Sequence, residues 1–135
     1  MQYKYEWVRE FQKQVADYLR QRIRRAFDTQ TAPDGSPWKP LAPATRKRKG
    51  HGRILHDSGR SRRSIYAKNT PDGGVEAGVA TPYARFHQNT RPFLPLSPQG
   101  TLLPQDRREI IKIAQTVIKS GLVTLWKQTW KENSC

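Results

Sequence analysis

The chain has 135 residues, a length that favours one domain with one modest core. Only 35% of the residues are hydrophobic, and 25 Lys and Arg stand against 11 Asp and Glu, so the net charge is +14. The core must be thin or completed by other subunits, and the charge points to a polyanion or an acidic protein surface as partner.

A single cysteine, Cys135, excludes an internal disulfide and a cysteine-built zinc site, and it fits a reducing compartment. No apolar run approaches the ~20 residues of a membrane span. The opening MQYKYEWVRE lacks the apolar stretch of a signal peptide, so none is expected.

Residues 5–27 predict a helix. Val8, Phe11, Val15, Leu19, Ile23 and Ala26 recur at three- and four-residue steps and form one apolar stripe, widened by Trp7, Tyr18 and Phe27. Arg20, Arg22, Arg24 and Arg25 gather toward its C-terminal end, where cations suit the helix dipole.

Residues 28–63 predict an arm followed by a basic loop. Pro33, Pro37, Pro40 and Pro43 favour extended backbone, and Asp34-Gly35 marks a turn. Trp38 and Leu41 are the arm's apolar anchors; Trp38 suits its own domain's core better than a partner's surface. Arg46, Lys47, Arg48, Lys49, Arg53, Arg60, Arg62 and Arg63 follow, with Asp57 as the one acid among them. Gly50, Gly52 and Gly59 argue for loop, and like charges there repel until a partner neutralises them.

Residues 64–80 predict a β-hairpin. Ile65 and Ala67 share one face of its first strand, and Val75, Ala77 and Val79 share one face of the second. Pro71-Asp72-Gly73-Gly74 supplies the turn. A lone hairpin is marginal in water, so added strands from residues 36–42 or 91–96, or from a neighbour, and covering helices are expected. Residues 82–89 predict a turn or two of helix opened by Pro82, and 90–101 an extended arm.

Residues 104–132 predict a second long helix, from the spacing of Ile110, Ile111, Ala114, Val117, Ile118, Leu122, Leu125 and Trp126. The expected fold is a single α+β domain over residues 1–135. A small antiparallel sheet is flanked by long N-terminal and C-terminal helices, with extended proline-rich arms. Its expected core is Phe11, Val15, Leu19, Ile23, Ile65, Val75, Val79, Ile111, Ile118 and Leu122.

No catalytic constellation emerges. His51 and His56 lie in the basic loop, where the positive field opposes a metal cation. Asp28, Asp34, Asp57 and Asp72 are scattered among turns, whereas a metal-dependent nuclease gathers its carboxylates. Ser58 lacks the Gly-x-Ser-x-Gly frame of a nucleophile elbow, and no glycine run has the spacing of a phosphate loop. No catalytic, cofactor-binding or metal residue is expected, and the chain reads as non-enzymatic.

Two other classes remain. The arginines supply the electrostatic term of nucleic-acid binding, and Tyr66, Tyr83 and Phe86 offer stacking faces, but no helix-turn-helix, RNA-recognition or zinc-finger signature is present. A thin core with arms anchored by Trp38, Leu41, Phe93 and Leu94 equally fits a subunit that packs among copies of itself.

An ordered series of motifs bears on the choice between these. Asp34-Gly35-x-Pro37-Trp38-x-Pro40-Leu41 comes first, then Thr45 with the nearby lysines. Ile54-Leu55-His56-Asp57-Ser58-Gly59 runs on to Ser64-Ile65, then come Gly78, Tyr83-Ala84 with His87-Gln88, and Arg91-Pro92-Phe93-Leu94. The series resembles the phage virion morphogenesis and tail completion proteins of the phage Mu type, a group related to the neck and tail-terminator subunits of tailed phages. Ser61 stands where that family usually carries leucine.

The resemblance implies a non-enzymatic virion protein without cofactors, assembled in the host cytoplasm. It would complete or terminate the tail at its head-proximal end and join it to the neck as a ring, sixfold like the tail. Trp38, Leu41, Tyr83, His87, Arg91, Phe93 and Leu94 are the expected subunit interface, and the eight cations from Arg46 to Arg63 the expected partner-facing loop. The expected partners are other copies, neighbouring neck and tail proteins, and DNA passing through the lumen, with no membrane. The alternative is a basic, non-enzymatic DNA-binding accessory protein.

Overall fold

The computed structural model describes residues 2–40, 42–50, 60–82, 84, 88 and 91–133; the side chains of 2–5, 49, 60, 61 and 122–133 fall outside that description. Helix α1 (Gln2–Thr29) is the platform. Its stripe buries Val15, Ala16, Leu19, Ile23, Ala26 and Phe27, and Ile23 is fully enclosed. The helix ends where Gln30 turns left-handed, at φ 58°, and its side-chain Nε2 donates to the Phe27 carbonyl over 2.8 Å.

Strands β1 (Ile65–Asn69) and β2 (Val75–Val79) pair antiparallel, from Ile65 opposite Val79 to Asn69 opposite Val75. Ile65, Ala77 and Val79 pack inward against the core. On the outer face Tyr66 lies across Gly78, where a Cβ would come within 3.2 Å of the phenol oxygen, so a side chain at 78 would require the ring to shift. The turn rests on α1. Gly73, at φ 90°, faces Val8, and the buried Gln12 donates from Nε2 to the carbonyls of Thr70 (3.0 Å) and Gly74 (2.8 Å).

The expectation of added strands from residues 36–42 or 91–96 is corrected. Among the described residues the sheet has two strands, and the flanking segments contribute only the isolated bridges Thr31–Pro37 and Leu96–Leu102. A helix, rather than further strands, covers the hairpin's apolar face.

The arms bear out the expectation that Trp38 belongs to its own domain's core. They fold back and complete the core, because Trp38 and Phe93 carry more apolar surface than a thin core can leave outside. Trp38 meets Phe27 edge to face at 5.5 Å between ring centres, and Phe27 meets Phe93 at 5.4 Å. The indole Nε1 donates to the Pro92 carbonyl over 2.7 Å, which joins the two arms.

Part of the expected loop is helical. Helix α2 (Pro43–Lys49) has Pro43 in its first turn and ends at Gly50, φ 78°, whose N–H returns to the Arg46 carbonyl. Both are ordinary helix boundary signals. A short helix α3 (Arg60–Arg63) precedes β1.

Helix α4 (Pro104–Asn133) packs along α1, and its Gly121 brings it against Trp7. Its orientation differs from expectation. Val117 and Asp106 are buried, whereas Ile111 and Ile118, expected in the core, are 46% and 39% exposed. Leu122 lies outside the described side chains. The rotation follows from Asp106, whose carboxylate is drawn inward by partners on α1.

Truncating the aromatic centre tests this packing. Trp38→Ala should cost about 3–5 kcal/mol in urea unfolding, while Ile111→Ala should stay within about 0.5 kcal/mol. Equal losses would contradict the observed core.

Candidate functional site

The expected basic segment divides in two. On α2, Arg46, Lys47 and Arg48 are exposed and pair with no carboxylate among the described residues; Lys49 closes the same helix. On α3, by contrast, Arg62 is engaged. Its Nε and Nη2 donate to the two oxygens of Asp28 at 2.6 and 3.2 Å, fastening α3 to the end of α1. Both side chains are more than 40% exposed, so this fork adds position more than stability. Arg63 is exposed; Arg60 lies on α3, and Arg53 lies outside the described residues.

Of the seven residues expected at a subunit interface, two are internal. Trp38 and Phe93 are 4% and 2% exposed and leave almost no surface for a neighbour. Leu94 packs against the same core. Arg91 donates to the carbonyls of Lys39 (2.8 Å) and Pro40 (3.3 Å), clamping one arm to the other. The Gln88 side-chain oxygen accepts from the backbone N–H groups of Phe93 and Leu94, both at 2.9 Å. Leu41, Tyr83 and His87 lie outside the described residues.

Sequence reasoning missed Asp106. This carboxylate is wholly buried and accepts from the Tyr18 hydroxyl at 2.5 Å and from Arg22 Nε and Nη2 at 2.6 and 3.1 Å. Arg22 Nη2 also reaches the Pro33 carbonyl, which receives Gln105 Nε2 as well. Burial first, then the hydrogen bond and charge of Asp106, push the Tyr18 phenol well above its usual range. The hydrogen bond to Asp106 likewise raises Arg22. The available signal was an arginine and a tyrosine one turn apart on the apolar stripe of α1, which demanded a buried acid.

The described surface also has concave sites. A groove of about 350 Å³ runs between α1 and α4 and includes Glu6, Trp7, Glu10, Thr116 and Gly121. A cleft of about 450 Å³ between the two arms is walled by Pro33, Pro92, Pro98 and Leu103. Among the described residues, no three His, Cys, Asp or Glu converge to hold a metal ion, and no helix is long and apolar enough to cross a membrane.

Residues 3–93, more than half of the chain, match the model of the phage virion morphogenesis family. The chain belongs to that family. This phage virion morphogenesis protein is also 33% identical over 95 residues to Mu-like prophage FluMu G protein 1 of Haemophilus influenzae, a stretch covering 67% of this chain and 65% of that protein. No solved structure matches it. The family gives the protein a structural role in the phage virion and is typically non-enzymatic. Its match takes in α1, both arms as far as Phe93, α2, α3 and the hairpin, and stops before α4.

The buried cluster carries two expectations for this virion morphogenesis protein. Asp106→Ala should cost about 3–5 kcal/mol, because it strands the Arg22 charge. The phenol's raised pKa makes its contribution complete below the unfolded value near ~10 and lost as pH climbs past it. The stability advantage of wild type over Tyr18→Phe should therefore shrink above that pH. An advantage that stays constant to higher pH would contradict the buried phenol–carboxylate bond.

Proposed function

We propose that this protein is a structural subunit at the head-proximal end of a phage tail, where a closed ring of its copies completes the tail and joins it to the neck. The observation that carries this reading is the family match across the whole α1–hairpin core, residues 3–93. A ring of six, matching the tail, is the expected symmetry. The likeness to a protein named for a Mu-like prophage supports the same direction.

The physical features agree with assembly rather than chemistry. Six of the described acids are engaged in turns and ion pairs: Asp34 and Asp72 accept from Ser36 and Thr70, and Asp17, Asp28, Glu76 and Asp106 each meet a cation. Exposed apolar residues persist on α4, at Ile111 and Ile118, on a chain whose core is small. Arg46, Lys47 and Arg48 of α2 face outward with nothing to neutralise them among the described residues, so they meet a protein surface or a polyanion.

That last observation also supports the second reading, a non-enzymatic DNA-binding accessory protein. Light scattering on the purified protein, with and without isolated tails, separates the two. A closed ring, alone or on tails, is the expected result. A monomer that ignores tails but binds DNA with an affinity falling steeply with salt would overturn the ring and promote DNA binding.

A further inference from the structure

The groove between α1 and α4 carries a charge opposite to that of the chain. Glu6 and Glu10 lie one turn apart on α1, both exposed, and neither meets a cation among the described residues. Like charges at this spacing destabilise a helix unless a cation joins them. Glu10 accepts one hydrogen bond, from Gln14 at 2.9 Å, which leaves its charge uncompensated. Among the described residues that line the groove there is no lysine or arginine, although the chain holds 25 of them. Trp7 and Val117 give it an apolar wall, and Gly121 keeps its floor open.

Helix α2 is the complementary object. Its seven residues include four cations and no acid. A helix this short has little stability of its own, and adjacent like charges reduce it further. Its apolar residues Pro43 and Ala44 are exposed rather than packed on the fold. The strand of chain that enters it is nevertheless held, by Arg91 on the Lys39 and Pro40 carbonyls, and Gly50 closes its far end. The fold therefore presents a preformed cationic helix that its own surface does not cover.

We infer that α2 of one copy docks in the α1–α4 groove of the next, with Arg46, Lys47 and Arg48 neutralising Glu6 and Glu10. The two surfaces lie on different parts of one chain, so the contact is head-to-tail, the type that generates rings when its rotation closes. The inference rests on the reading of the protein as a self-assembling subunit and names the surfaces through which it would assemble. Charge complementarity selects the occupant: a cationic helix fits an acid-lined groove that nucleic acid would avoid. The contact is electrostatic at its rim, so it weakens with ionic strength.

Charge reversal tests it. Glu6→Lys/Glu10→Lys spoils the groove, and Arg46→Glu/Arg48→Glu spoils the helix; all four positions are exposed, so each variant should melt with the wild type. Each alone should reduce the light-scattering mass to that of a monomer at low salt. Mixing the two should restore the assembly, because every interface then pairs either two native or two reversed surfaces.

Oxidation of a Glu10→Cys/Arg46→Cys variant, in a Cys135→Ser background, provides a second readout. It should yield a ladder of disulfide-linked multimers. Unchanged mass in both reversed variants, or a mixture that stays monomeric, overturns the docking while leaving the ring reading intact. A wild type that is monomeric even with tails overturns both.

Discussion

A carboxylate with no exposure to water fixes how this chain is put together. Burying Asp106 costs several kcal/mol unless its oxygens are satisfied, and three donors on α1 satisfy them, two of them from one guanidinium. Such a pair contributes little net stability over an apolar contact of the same size, but it tolerates almost no alternative geometry. It sets the rotation of α4 about its axis. The same guanidinium and the neighbouring Gln105 both reach the Pro33 carbonyl, so the first arm is held at that point too.

The remainder of the fold follows the same economy. A chain with few apolar residues uses single polar side chains to place each loop. Gln12 holds the hairpin turn, the Trp38 indole holds the second arm, Gln88 caps the backbone at Phe93 and Leu94, and Arg91 ties the arms at their outer end. With the arms turned inward, the core around Ile23, Phe27, Trp38 and Phe93 is made within one chain. What remains for other molecules is the unpaired surface: α2, the acid-lined groove, and the outward stripe of α4. Helix α4 lies beyond the family match, so Asp106 fastens a further segment onto the shared core.

The long helices and the hairpin were legible because their apolar residues keep strict periods, and Ile65, Ala77 and Val79 lie on the core face as their alternation implied. The face of α4 was not, because its sequence carries two apolar stripes. One runs through Ile110, Ala114, Val117 and Gly121, the other through Ile111 and Ile118. Hydrophobicity alone gives no reason to prefer either; the choice is made by an acid, a residue type that pattern reading assigns to solvent. Helix α2 was hidden for the opposite reason. Its boundaries, Pro43 and Gly50, are plain signals, but a run of cations masks them. As for the interface, isolated aromatics in proline-rich segments look the same in sequence whether they reach outward or fold back, and the indole–carbonyl bond that decides it links residues 54 positions apart.

The functional account places all action in surfaces. A buried acid locks the scaffold and the scaffold projects a cationic helix; under the proposed function, copies of the chain would complete one another at the end of a tail. Electron microscopy of tails incubated with the purified protein tests that claim most directly. The account predicts a closed ring of added density at the head-proximal end. Density absent from that end, or protein found instead along free DNA, would contradict it.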